Sequence, residues 1–419
     1  MKRKWIALAL AMALTACGAS RENPASVSIP GGVSGNDGVA RSSDDSADAA
    51  ESDLSGANGD HILKIGVFEP QTGDNGAGGR QEILGIQYAN YIQPSLDING
   101  EVYDVHLEIV DNQTTNGASA AETLVSRDVS VILGSYGSGA SAEGGKVFAE
   151  AGIPAIGASC TNPRVTSECD VYFRICFPDS LQAAALADYA ENLGAHTVYT
   201  LAMEDNIYDQ DLANDFKREF ESRGGAVIAQ SFPAGRADFD EYILQAAEEE
   251  AGVILAPVSI NYARLMIQSA SKLGFQGVLL GSDTWDNYLI LESARNQNLN
   301  ISVSTFYREN GSDFDEGIRE WLRANPDMMA SNGGSDVISS ITAMGYDAYF
   351  TALAAAVKAG SAEPGEILKA LPTVTYQGVS GGISFDGTGD KLVCSMTPTD
   401  STDAAIRGMR NKLREMKNR

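Results

Sequence analysis

Histidine is nearly absent from this chain: only His61, His106 and His196 occur. None is paired with a suggestive serine and none has metal-ligand spacing, which argues against Ser-His hydrolysis and against metal capture. There is no GxxxxGK[ST], and the glycines near Gly73 and Gly134 do not make GxGxxG, so nucleotide binding has no support and no cofactor is expected. No stretch has eighteen uninterrupted apolar residues, so no membrane-spanning helix is expected. Basic residues are the minority, 30 Lys+Arg against 56 Asp+Glu for a net charge of −26, which argues against nucleic acid and against attraction to anionic lipid. No repeat of solenoid period is visible. Gly378-Val379-Ser380-Gly381-Gly382 fits the nucleophile-elbow pattern, but no strong apolar strand precedes it and no helix pattern follows, so it reads as a loop and no enzyme is expected.

What is present begins at the N-terminus. Lys2, Arg3 and Lys4 precede an apolar run from Trp5 to Leu14 that is too short to remain across a bilayer and reads as an export signal. It ends in Leu14-Thr15-Ala16-Cys17, which resembles the lipobox of bacterial lipoproteins and implies that Cys17 becomes the lipidated first residue. Gly18 to Asp60 is rich in Ser, Gly, Asp and Ala and lacks aromatic residues, so it reads as a disordered acidic tether with a reach of roughly 35 Å. The expected place is the extracytoplasmic face of a bacterial membrane. Of the five cysteines, Cys160, Cys169, Cys176 and Cys394 then remain, an even set in an exported chain. Cys160 with Cys176 is the preferred disulfide, free thiols being the alternative.

From His61 onward strand and helix patterns alternate. Ile65 to Phe68, Tyr103 to Val110 and Val131 to Leu133 read as strands, with helices from about Gln81 to Ile92 and Ala118 to Ser126 between them. A second series runs from the helix Leu181–Asn192 to the strand Val278–Leu280. This order predicts an α/β fold of two doubly wound parallel-sheet lobes with a cleft between them and ligands at the carboxyl ends of the strands. The expected boundaries are about 61–175 plus 306–373 for one lobe and 177–304 plus 380–419 for the other. Crossings are expected near Arg174 to Phe177, Ser304 to Tyr307 and Thr373 to Gly382.

Twice, in VILGSYGSGAS and IPAIGASCTNP, an apolar strand runs into small hydroxyl and glycine residues. In the first copy a helix starting near Ala140 would aim unpaired N–H groups beyond the strand, with Ser138 and Ser141 adding hydroxyl donors. The second copy places Ser159, Cys160 and Thr161 beyond its strand. Together the two turns suit one carboxylate.

These residues resemble the leucine/isoleucine/valine-binding branch of the type I periplasmic binding proteins, the solute-capturing components of amino-acid ABC importers. The resemblance rests on Ile65-Gly66-Val67 with Pro70-Gln71-Thr72-Gly73, on Leu133-Gly134 with Ser138, and on Gly152-Ile153-Pro154 with Thr161-Asn162-Pro163. It continues through Tyr172-Phe173-Arg174, Asp205 with Tyr208, Asp238-Phe239 and Gly281-Ser282-Asp283. It implies that an α-amino acid lies between the lobes, its carboxylate on Ser138, Ser159 and Thr161, its ammonium on Asp283, with Tyr208 facing it. Where many relatives carry an aromatic in the first loop, this chain has Gly76-Ala77-Gly78-Gly79; Trp285 is the expected replacement wall. The implied partners are a small-molecule ligand and ABC permease subunits, the protein itself being a monomer. The alternative is a ligand sensor of the same fold acting on a membrane receptor or cell-wall enzyme.

Overall fold

The computed structural model describes residues 61–112 and 117–391, so Cys17, the tether to Asp60, Cys394 and everything after Lys391 lie outside it. The first lobe opens with β1 (Ile62–Glu69), α1 (Gly76–Ile92), β2 (Ser95–Ile98), β3 (Glu101–Asp111), α2 (Gly117–Val125) and β4 (Val131–Leu133). It continues with α3 (Ser138–Ala151), β5 (Ala155–Gly157), α4 (Arg164–Ser167) and β6 (Tyr172–Arg174). The sheet order is β2-β3-β1-β4-β5-β6. β1 sits at its centre, with Ile65 opposite both Leu107 and Val131, and its apolar run is buried on both faces as a covered parallel strand requires. The edge strand β2 runs antiparallel to β3. It is joined by Asn99-Gly100, both at positive φ (57° and 89°), the pair that a tight hairpin turn demands.

The second lobe holds α5 (Asp179–Asn192), β7 (Thr197–Met203), α6 (Ile207–Ser222), β8 (Ala226–Phe232), α7 (Asp240–Glu248) and β9 (Val253–Ala256). It ends with α8 (Ile260–Leu273), β10 (Val278–Gly281), α9 (Tyr288–Ala294) and β11 (Asn300–Val303). Its sheet is β11-β10-β9-β7-β8, parallel throughout. The chain then returns through α10 (Asp313–Ala324), α11 (Pro326–Ser331), α12 (Ser340–Ala359), α13 (Pro364–Ala370) and the hairpin β12 (Thr375–Gly378) and β13 (Gly381–Ser384). Both lobes are doubly wound α/β units, the fold class expected from the alternating pattern.

Helix α12 is buried along most of its length and lies against α1. The two cross at glycines: a Cβ on Gly85 would overlap the Thr342 carbonyl, and one on Gly345 the Glu82 carbonyl. Two segments link the lobes, 175–178 and 303–307, and the rings of Phe177 and Phe306 meet there at 4.4 Å. The expected third crossing is absent among the described residues, and residues 380–391 belong with the first lobe. Ile383 and Phe385 fill its core, Phe385 meeting Phe173 edge-on at 5.2 Å. The physical reason is the open edge of β6: Arg174 N–H donates to the Gly389 carbonyl, so the tail covers a strand edge that would otherwise be bare. No helix among the described residues is long and apolar enough to cross a membrane.

Candidate functional site

The site is assembled where the strands of both sheets end. In the first lobe, Arg174 on β6 organises the loop after β5. Its side chain is fully buried, donates to the carbonyls of Thr161 (2.8 Å) and Asn162 (2.7 Å), and grips both carboxylate oxygens of Asp390 at 2.8 Å. Arg174 also reaches the Cys160 carbonyl at 3.4 Å. Because a trans peptide sets N–H opposite C=O, the Cys160 and Thr161 carbonyls turned toward Arg174 turn the N–H groups of Thr161 and Asn162 the other way, whereas the Asn162 carbonyl precedes Pro163, which has no N–H. Asn162 N–H accordingly reaches Ser138 Oγ at 3.4 Å. Ser138, the first residue of α3, and Thr161 are thus brought together across two strand ends. Both are buried.

Ser159 is engaged differently. Its hydroxyl donates to Glu82 Oε2 on α1, and Glu82 in turn lies beside Glu69 at the end of β1. Both carboxyls are fully buried. Burial, then the neighbouring carboxyl, pushes Glu69 well above the usual carboxylate range. Glu82 is raised by burial, while the hydrogen bonds from Glu69 and Ser159 pull it back.

In the second lobe Asp283 opens the short helical turn Asp283–Trp285 after β10. It is buried and accepts on Oδ1 from Tyr208 Oη and from Gln182 Nε2, each at 2.6 Å. Gln182 also donates to Ser304 Oγ at 2.7 Å, beside the second crossing. Burial raises the Asp283 carboxyl; Tyr208 and Gln182 oppose it. Trp285 packs into the second lobe's core over Gly281, where a Cβ would overlap its indole, and its Nε1–H has no partner.

Tyr136 lies in the turn between β4 and α3 and is buried. Burial pushes its phenol well up, followed by Asp283, Glu82, Asp209 and Glu69. Its hydroxyl is buried without a partner. Its ring occupies the space beside Gly78, where a Cβ would overlap it. The glycines of the first loop therefore make room for an aromatic that comes from another turn. Across the cleft Asn162 Nδ2 donates to Asp211 Oδ2 at 2.9 Å, and Asn287 Nδ2 to Gln81 Oε1 at 2.8 Å.

The preferred disulfide is not formed: Cys160 and Cys176 are both free thiols. Cys160 packs with Phe68, Phe148 and Tyr172 under α2 and α3, whereas Cys176 belongs to the core under α1 and α12. The sheet lies between them. Burial pushes the Cys160 thiol up to about 12 against the pull of Arg174.

Sequence reasoning did not single out Glu69, Glu82, Tyr136 or Gln182. A signal existed for Glu82, which shares one stripe of α1 with Gly85, Ile86 and Ala89, all buried, so an acid there faces inward. Among the described residues no group of His, Cys, Asp and Glu is arranged to hold a metal ion.

Comparison with known proteins agrees with this architecture. The sequence profile described as periplasmic binding protein matches residues 62–404. The Leu/Ile/Val-binding protein homolog 1 of Brucella abortus is 23% identical over 332 residues, covering 78% of this chain and 86% of that protein. The crystal structure of the leucine-binding protein LivK of Thermotoga maritima has a TM-score of 0.69 at 28% identity, covering 79% of this chain and 93% of that one. The substrate-binding protein LivJ of Streptococcus pneumoniae, solved with isoleucine, has a TM-score of 0.68 at 24% identity, covering 79% and 93%. The chain belongs to the type I periplasmic binding proteins, a family of extracytoplasmic solute binders, in the leucine/isoleucine/valine-binding branch.

Proposed function

We propose that this protein captures an α-amino acid between its lobes and delivers it to an ABC permease, anchored to the membrane through a lipid on Cys17. The observation that carries the reading is the polarity of the cleft. Asp283, held by Tyr208 and Gln182 on one oxygen, is placed to take an ammonium. Ser138, Thr161 and the Thr161 and Asn162 N–H groups that Arg174 turns outward suit a carboxylate. A zwitterion satisfies both poles at once, and each bond gains strength as closure excludes water. Ligand that touches both lobes stabilises the closed form, which is the surface a permease would recognise. The naming of relatives for leucine, isoleucine and valine supports the amino-acid class.

Calorimetric titration with the common amino acids tests this. At least one should bind. Asp283→Ala should lose roughly 3 to 5 kcal/mol of affinity, because the ammonium is left buried and unpaired. Absence of binding by any amino acid would overturn the ligand class; full affinity in Asp283→Ala together with Ser138→Ala would overturn the site.

A further inference from the structure

The Glu69 and Glu82 carboxyls have no role in gripping a simple zwitterion, yet they change what Ser159 offers. A serine hydroxyl has one proton, and Ser159 gives it to Glu82 Oε2. Glu69 Oε2 accepts the Tyr136 N–H at 2.8 Å, and Gly134, at φ +110°, leaves the space its Oε1 fills. Two adjoining buried carboxyls share a proton instead of both ionising. Ser159 occupies Glu82 Oε2, while Glu82 Oε1 and Glu69 Oε1 are buried without a hydrogen-bond partner, acceptors left open to a donor. Ser159, its proton given to Glu82, has only lone pairs left to offer a ligand. A second observation points to a ligand at this wall: the Tyr136 hydroxyl is buried without a partner, in the field of Glu82 and Glu69 from one lobe and Asp283 and Asp209 from the other. Arg174, the buried cation of this lobe, is already committed to Asp390 and the loop carbonyls.

We infer that Glu82, acting with Ser159, is the specificity determinant of the amino-acid site proposed above: it forms an acceptor wall that selects side chains carrying an ammonium, amide or hydroxyl donor over apolar ones. This departs from a purely aliphatic side-chain pocket. It also removes Ser159 from the carboxylate-binding set.

Titration calorimetry of the full mature protein with L-lysine, L-glutamine, L-threonine, L-leucine, L-methionine and L-valine tests it. In the wild type a donor-bearing member should bind at least tenfold tighter than its apolar counterpart of similar size. Glu82→Gln, which keeps the shape, and Glu82→Leu, which removes the acceptor, should each cut that ratio at least fivefold, while Asp283→Ala weakens both members by about a hundredfold or more. Preference for the apolar member in the wild type, with binding still dependent on Asp283, overturns the Glu82 assignment and leaves the amino-acid reading standing. An unchanged ratio in both cooperatively melting Glu82 variants overturns it too. Failure of all six to bind overturns this inference, and failure of the remaining common amino acids overturns the amino-acid reading with it; full affinity in Asp283→Ala together with Ser138→Ala overturns the site on which both rest.

Discussion

Arg174 shows how much one side chain decides here. It converts three residues of irregular loop into an ordered edge of the site and fastens the chain's tail through Asp390, which also accepts from Thr166 Oγ1 at 2.6 Å. Replacing it by Met strands Asp390 and two buried carbonyls. Arg174→Met should therefore cost about 3 to 5 kcal/mol of unfolding free energy in a denaturant titration, with part recovered by adding Asp390→Asn. Lysine cannot replace the planar fork and should rescue little. The positions of Ser138, Thr161 and Asp283 beyond strand ends were legible beforehand because each follows an apolar strand pattern. Glu82 and Tyr136 were not, since an acid inside a helix stripe and a tyrosine inside a turn acquire meaning only from what faces them.

At the scale of elements, the crossing of α1 and α12 matters most, because α1 carries Glu82 to Ser159 and Gln81 to Asn287 of the other lobe. Gly85 and Gly345 let the two backbones touch, and neither has room for a methyl group. Gly345→Ala should separate the helices and destabilise the protein by about 1 to 3 kcal/mol, measured as a fall in melting temperature. The site should loosen with it, since Glu82 contributes the carbonyl that the new methyl strikes. Helix α12 was readable as a long apolar pattern and runs from Ser340 to Ala359. Its partner was not readable, because a glycine spaced for close approach looks the same as a glycine in a weak helix.

For the whole molecule, charge sets the response to pH. Burial raises the carboxyls of Glu69, Glu82, Asp179, Asp209, Asp283 and Asp347 above their ordinary values. Between about pH 4, where such groups ionise in the unfolded chain, and their raised values, the folded state binds more protons than the unfolded one. Stability must then fall as pH rises through that window. The net charge of −26 adds self-repulsion of the same sign. The melting temperature should be higher at pH 5 than at pH 7.5; a higher value at pH 7.5 would show that these carboxyls are not protonated in the fold. Below pH 4 the trend reverses, since Asp315, bonded by Tyr307 and three backbone N–H groups, and Asp386 lie below their ordinary values despite burial.

Local pattern by itself determined the alternation of strand and helix, the two series that make two lobes, and the strand ends where small hydroxyl residues gather, because all of these depend on neighbours within a few positions. Only tertiary structure decided that Cys160 and Cys176 lie on opposite faces of one sheet, that residues 380–391 cover β6 and join the first lobe, and that Ser159 gives its proton to Glu82. Each of those depends on register between residues far apart in the chain. Burial then turns that register into chemistry, since a carboxyl removed from water must find a proton or a donor wherever packing has left one.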